Sequence, residues 1–144
     1  MKFLLSIFIL LSIHTAIFSE EQKLLEKHEW PKTCDTAVDL LISNLSEKTK
    51  KEVRQTKYDS LIMFHHGWGT SIRNNFGLWR GNKQLIKSCS NDTAHPDSVS
   101  TIIIKKTWLK LNLAFHCPKV KLTQCKWHKN HQAKLNNKKN DAAR

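Results

Sequence analysis

The four cysteines of this chain constrain its fold more than any other feature. In an oxidising compartment an even number of cysteines in a small chain predicts disulfide bonds, and four cysteines allow three pairings. Cys117 and Cys125 are close in sequence and flank a lysine-containing segment, which favours a local loop between them. That loop leaves Cys34 and Cys89 as a long-range pair. The other two pairings stay open from the sequence alone.

The N-terminus has the features of a cleavable secretory signal over residues 1–19. A single cation, Lys2, precedes an apolar run from Phe3 to Ile13, and a short exit leads to the acidic Glu20. This run is about 11 residues long, whereas a membrane-spanning helix needs about 20. An uncleaved anchor is the alternative, because the residues after Ile13 extend the apolar stretch. We expect export, either to the periplasm or as a secreted protein, of a chain without a transmembrane segment after signal removal.

Residues 20–144 correspond in size to one domain with one modest core. We divide them into a polar lead (20–32), a helical domain (33–117) and a basic tail (118–144). The chain has 24 Lys and Arg against 12 Asp and Glu, a formal net charge of +12. The tail holds much of this excess, because its basic residues face Asp141 alone, and it is rich in Asn and Gln. This composition predicts a mobile tail.

Helix-capping residues followed by apolar residues at helical spacing predict an all-α fold. We expect a compact bundle of about five short helices, held by one or two disulfides. The strongest helix start is the segment His95-Pro96-Asp97-Ser98, because proline is tolerated in a first turn and the two residues after it offer acceptors to unpaired amides. The β-branched run that follows is also compatible with a strand. The other predicted helix starts are Thr33 or Asp35, Ser46, Asp59, Thr70 and Asn82.

Three sequence blocks in the middle of the chain carry the densest pattern of polar, aromatic and glycine residues. They are His-x-x-x-Gly from His65 to Gly69, Arg-Asn-x-x-Gly-Leu-Trp from Arg73 to Trp79, and His-Pro-Asp-x-x-Ser-x-x-Ile from His95 to Ile103. The order and spacing of these blocks resemble an uncharacterised bacterial domain family, over roughly residues 37–111. The resemblance implies membership of a domain of unknown function and transfers no activity.

Six residues of these blocks are the candidates for a functional surface. A histidine beside an aspartate can do acid–base work, and an arginine can hold an anion, so a hydrolase-type enzyme is one interpretation. The structural interpretation is that the aspartate caps a helix while the arginine and asparagine bind loop carbonyls. We assign no catalytic residue, because no Ser, Cys or Thr nucleophile with an evident base stands out. The candidates are His65, Arg73, Asn74, Trp79, His95 and Asp97.

A second group of residues near the C-terminus could in principle bind a metal ion. Thiolates and imidazoles are suitable ligands for zinc or copper, and this group is Cys117, Cys125, His128 and His131. Its spacing is not that of a known zinc finger. An oxidising compartment favours a disulfide between the two cysteines. We therefore predict no metal and no cofactor, with this group as the alternative.

The excess of positive charge in the tail bears on partners. An acidic protein, an anionic lipid surface or a nucleic acid could each bind it through salt-sensitive attraction, and the alternative is a solvated, solubilising end. Nucleic acid has the weakest support, because a single tryptophan, Trp127, interrupts the lysines. We predict an exported binding module whose partner is a protein or another anionic surface. The competing functions are the hydrolase and the metal-binding protein.

Overall fold

The computed structural model describes residues 24–120 and 122–143, and every regular element in that part of the chain is helical. The predicted signal peptide lies outside the described residues. The all-α prediction is confirmed, with more helices than the five expected. The α-helices are α1 (Cys34–Asn44), α2 (Glu47–Gln55), α3 (Trp68–Asn75), α4 (Lys83–Cys89), α5 (Pro96–His116) and α6 (Lys126–Ala142). Short 3-10 helices occupy Lys27–Glu29, Tyr58–Phe64 and Leu122–Gln124.

Local capping explains where several helices begin. The side chains of Thr33, Ser46 and Asn82 each accept a hydrogen bond from the backbone N–H three residues later, as an N-cap residue does. Two predicted starts differ from the structure. Asp59 lies inside a 3-10 helix, and α3 begins at Trp68, two residues before the predicted Thr70. The strand alternative for the β-branched run is wrong, because that run lies within the 21-residue helix α5.

Helix α5 is the centre of the bundle. Helices α1 to α4 and the second 3-10 helix all pack against it. Val99 and Ile103 on α5, Ala37 on α1 and Leu85 on α4 have no exposed surface and belong to one hydrophobic core. The length of α5, about 30 Å at 1.5 Å per residue, sets the long dimension of this core.

Two disulfide bonds have the expected pairing. Cys34 at the start of α1 is bonded to Cys89 at the end of α4, with their Cα atoms 4.9 Å apart. Cys117, just after α5, is bonded to Cys125, just before α6. The first bond joins the start of α1 to the end of α4, and the second joins the last helix to the central one.

A close approach between Gly77 and Trp30 fixes the polar lead against the domain. Gly77 has a φ of +67°, and a Cβ at this position would lie 2.3 Å from an indole carbon of Trp30. Arg80 covers the same indole ring, with its guanidinium carbon 4.9 Å from the ring centre. The second block therefore needs glycine here for both conformation and space.

The basic tail differs from the mobile segment that its composition predicted. Residues 126–142 form the 17-residue helix α6, which lies along α5. The imidazole of His131 packs on the indole of Trp108, with ring centres 4.9 Å apart, and Lys138 forms a 2.7 Å ion pair with Asp59. Apolar and aromatic residues at four-residue spacing give α6 one packing face. The average amino-acid composition of the tail does not reveal this spacing. No helix of the described residues has the length and apolar character needed to cross a bilayer.

Candidate functional site

The three sequence blocks meet where α3 passes the start of α5. Arg73 on α3 places its Nε atom 3.0 Å from Oδ1 of Asp97 in the first turn of α5. The Arg73 side chain is only 8% exposed, whereas that of Asp97 is 40% exposed. The pair therefore has a buried cation and a carboxylate that reaches the surface. Because these residues come from different blocks, their ion pair joins the second block to the third.

The remaining donors of the Arg73 guanidinium bind two residues of the blocks and Thr70, which follows the first block. One terminal nitrogen, Nη1, donates to Oγ of Ser100 at 3.1 Å and to the carbonyl oxygen of His65 at 3.4 Å. The other, Nη2, donates to Oγ1 of Thr70 at 3.0 Å. A Cβ at Gly69 would lie 3.0 Å from Nη1, so the glycine of the first block leaves room for the guanidinium. Arg73 thus meets the requirement that buried polar groups be paired.

His95 and Trp79 form the exposed part of the same cluster. The Nδ1 atom of His95 accepts a hydrogen bond from the backbone N–H of Asp97 at 3.3 Å and so caps α5. It also lies 3.3 Å from Oδ2 of Asp97, a contact that becomes an ion pair when the ring is protonated. The indole of Trp79 meets His95 edge to face, with ring centres 5.2 Å apart. Trp79 is 54% exposed and the His95 side chain is 61% exposed.

His65 approaches the cluster from the other side of Asp97. Its Nε2 atom is 3.8 Å from Oδ1 of Asp97, and its buried Nδ1 atom has no hydrogen-bond partner among the described residues. A shallow groove of about 360 Å³ runs beside this pair, lined also by Ile62 and Lys105. Two imidazoles therefore flank one carboxylate at the mouth of a groove.

Asn74 is the one candidate that the structure does not bring into the cluster. It is exposed, and its backbone carbonyl accepts a hydrogen bond from Arg80 at 3.0 Å. Sequence reasoning missed Ile62 and Met63, two largely exposed apolar residues of the second 3-10 helix. The sequence predicted a capped helix for their segment, and that prediction did not indicate which apolar side chains would be exposed to solvent. Thr70 lay within a predicted helix and gave no sign of its bond to Arg73.

The hydroxyl groups nearest the cluster are committed to the backbone. Ser100 Oγ donates to the carbonyl oxygen of Asp97 at 2.9 Å, and Thr70 Oγ1 donates to that of His66. A serine or threonine nucleophile needs an adjacent base to accept its proton. Neither hydroxyl has that arrangement here, and Arg73 already neutralises the Asp97 carboxylate. Both hydroxyls and the Asp97 carboxylate are therefore engaged within the protein.

The alternative metal group near the C-terminus serves the packing of α6. The sulfurs of Cys117 and Cys125 are bonded to each other, and the backbone N–H of His128 donates to Sγ of Cys125 at 3.3 Å. Within the described residues no group of three or more His, Cys, Asp or Glu side chains is arranged to hold a metal ion. His131 stacks on Trp127, with ring centres 5.3 Å apart and planes 6° from parallel.

Burial of His131 also affects its protonation. Desolvation lowers the pKa of this imidazole below its ordinary value of 6.5, and the positive charges of His128 and Lys134 lower it further. The carboxylate of Asp59 acts in the opposite direction. The packing of α6 therefore favours a neutral His131.

Comparison with known proteins identifies the region that contains the cluster. A family model described as a domain of unknown function (DUF6794) matches residues 30–111, which include all three blocks. No curated protein and no solved structure matches the chain.

Proposed function

The chain belongs to the DUF6794 family, a domain of unknown function, and we propose that it is an exported binding module. Its recognition surface is the exposed side of the three-block cluster, formed by Trp79, His95 and Asp97. The partner is a protein. The single observation that carries this proposal is that the buried Arg73 pairs with Asp97, and that an exposed histidine beside Asp97, His95, packs against the exposed Trp79.

The hub gives the surface a fixed geometry. Arg73 binds Asp97, Ser100 and Thr70 through separate nitrogen atoms, so α3 and the start of α5 are held in one relative position. Side chains whose surroundings are already ordered lose less conformational entropy on binding. An exposed tryptophan on such a base is well placed to act as an anchor for a partner.

Exposed apolar residues beside the cluster support a protein partner. Ile62 lines the groove next to His65 and Asp97, and Met63 follows it in the same 3-10 helix; both are largely exposed. Aromatic residues and methionine are enriched in protein interfaces relative to the rest of the surface. The surface thus combines an aromatic group, aliphatic groups and a half-exposed carboxylate.

Export is the second part of the proposal. It is supported by the signal-like residues 1–19 and by disulfide bonds that involve all four cysteines. Disulfides persist in oxidising compartments and are rare in the cytosol. We place the mature chain in the periplasm or outside the cell.

The hydrolase alternative has less support. It would use His65 and His95 as acid and base beside Asp97. Asp97 is, however, engaged by Arg73, and Nδ1 of His95 already accepts the capping hydrogen bond. A covalent mechanism would also need a nucleophile, and the nearby hydroxyls of Ser100 and Thr70 already donate to backbone carbonyls.

Site-specific cross-linking tests the recognition surface. The photo-reactive residue benzoylphenylalanine replaces Trp79 in the mature chain, residues 20–144, and the protein is irradiated with an extract of its own cell envelope. The matched control carries the same group at Phe115, which is similarly exposed but lies in the last turn of α5, about 27 Å along that helix from Asp97. We expect a defined cross-linked protein from position 79 and no cross-linked protein from position 115.

Affinity measurements with that partner complete the test. Trp79→Ala should weaken binding about tenfold or more, as expected for an anchoring tryptophan, whereas Phe115→Ala should leave the affinity unchanged. Equal cross-linking from both positions, or equal affinity of the two alanine variants, would show that the surface is wrongly placed.

A further inference from the structure

The end of the molecule remote from the three-block cluster carries two exposed apolar side chains. Phe115, in the last turn of α5, is 63% exposed, and Val120, in the following loop, is 51% exposed. The disulfide between Cys117 and Cys125 closes this loop. Two large apolar side chains exposed at one cross-linked turn offer apolar surface that a partner can cover.

Three lysines lie close to this apolar pair along the chain or across the disulfide. Lys119 lies between the two apolar residues in sequence, and Lys126 and Lys129 occupy the first turns of α6; all three are exposed. Among the described residues of the tail, the ion pair to Asp59 involves Lys138 instead, at the far end of α6. The positive charge next to Phe115 and Val120 is thus available to an anionic partner.

The packing of α6 determines which of its side chains are available. Trp127 stacks with the imidazoles of His116 and His131, with ring centres 5.1 and 5.3 Å away. The aromatic side of α6 therefore faces α5, and the lysines face solvent. Trp127, the only tryptophan of the tail, is therefore engaged with two imidazoles and only partly exposed.

We propose that this tip, defined as Phe115, Lys119, Val120, Lys126 and Lys129, docks on the surface of an anionic lipid bilayer. A bilayer offers anionic phosphates to the lysines and an apolar interior to the two exposed side chains at the same time. Basic residues combined with apolar groups on one surface are the arrangement by which proteins bind at lipid interfaces.

A nucleic acid fits the tip less well. Proteins that bind single strands stack bases on exposed aromatic rings, and Trp127 already stacks with two imidazoles. A duplex would engage the lysines through its phosphates. It would leave Phe115 and Val120 without an apolar partner.

The position of the tip is compatible with the recognition surface. Phe115 lies 18 residues after Asp97 on α5, about 27 Å away. A chain docked through the tip would keep Trp79 and His95 away from the bilayer and free to bind. The docking proposal does not depend on that second function.

Vesicle co-sedimentation of the mature chain tests the proposal. One set of vesicles is neutral phosphatidylcholine, and the other contains phosphatidylglycerol as the anionic lipid. We expect binding to the anionic vesicles only, and weaker binding as salt is raised. Lys126→Gln with Lys129→Gln should reduce binding about 25-fold, since each cation near an anionic surface accounts for about fivefold.

Two further variants separate a defined tip from general positive charge. Lys48→Gln with Lys51→Gln, at exposed lysines of α2, removes the same charge elsewhere and should change binding less than about twofold. Phe115→Ser with Val120→Ser keeps every charge and should reduce binding about tenfold or more through the lost apolar burial. Circular dichroism checks that each variant remains helical.

Several results would overturn the proposal. One is an equal loss of binding in the α2 and α6 lysine variants, and another is full binding by the Phe115/Val120 variant. Binding of a DNA duplex without binding of anionic vesicles would assign the lysines to nucleic acid instead. The cross-linking at position 79 should be unchanged in every tip variant, so a failure of docking and a failure of the recognition surface give different results.

Discussion

Replacing Asp97 with alanine removes the carboxylate that neutralises Arg73. Nε of the guanidinium then loses its partner at 3.0 Å, while the bonds to Ser100 and Thr70 remain. The arginine is 8% exposed, so water cannot fully replace the lost partner. We expect Asp97→Ala to fold and to be measurably less stable.

The magnitude follows from the burial of the two partners. Removing one member of a fully buried ion pair costs about 3–5 kcal/mol, whereas an exposed pair contributes about 0–1 kcal/mol. Asp97 is 40% exposed, which places the Arg73–Asp97 pair between these limits, at about 2 kcal/mol. Loss of a negative charge from the first turn of α5 adds about 0.5 kcal/mol. The free energy of unfolding should therefore fall by about 2–3 kcal/mol.

Urea unfolding of the mature chain with its disulfides intact measures this loss. With a urea dependence of about 2 kcal/mol per molar, the midpoint should fall by about 1 M. The matched control is Asp92→Ala, which removes an exposed pair with Lys87 at 3.5 Å and should cost less than about 0.5 kcal/mol. Adding Arg73→Met to Asp97→Ala should cost at least 1 kcal/mol less than the sum of the single changes. Additive costs, or an Asp97 variant as stable as the control, would refute the arginine hub.

Two further changes probe the packing at other positions. Gly77→Ala should lower the free energy of unfolding by about 2–4 kcal/mol, because φ is +67° and the new Cβ would collide with Trp30. The control Gly81→Ala has open space around the new Cβ and should cost only about 1 kcal/mol. Equal costs of the two changes in thermal unfolding would contradict the close approach of Gly77 to Trp30. For His131 the folded pKa lies below its ordinary value of 6.5, so the unfolded chain binds the proton more tightly and stability is lost as pH falls through 6.5 towards the folded pKa. His131→Gln should flatten the decline of the urea midpoint between pH 8 and pH 5, and an unchanged decline would contradict this assignment.

The features that the sequence predicted well are those decided by near neighbours. An N-cap needs only a side-chain oxygen and an amide three residues later, so Thr33, Ser46 and Asn82 could be identified directly. The start of α5 was equally evident from its proline and the polar residues around it. The short cysteine loop also follows from proximity along the chain. The three blocks were identified as a unit, although not the contacts that unite them.

The contacts within the site depended on tertiary structure. Arg73 and Asp97 are separated by a loop, a turn and a helix, and only the packing of α3 against α5 brings them to 3.0 Å. The same packing turns Asn74 outward, although it is the next residue along the chain. Composition could not tell that Arg73 is buried and Asn74 exposed, because this difference arises from helix geometry, which places adjacent residues on different faces.

The tail gives the clearest division between the two kinds of information. Its amino acids determine a large positive charge, which no fold could alter. The tertiary structure decided that those lysines lie on a helix and not on a mobile chain. Trp108 and Tyr58 offer α6 an aromatic surface, on which Trp127 and His131 pack. A polar helix of this length is marginal alone in water, and the tertiary contacts make it stable.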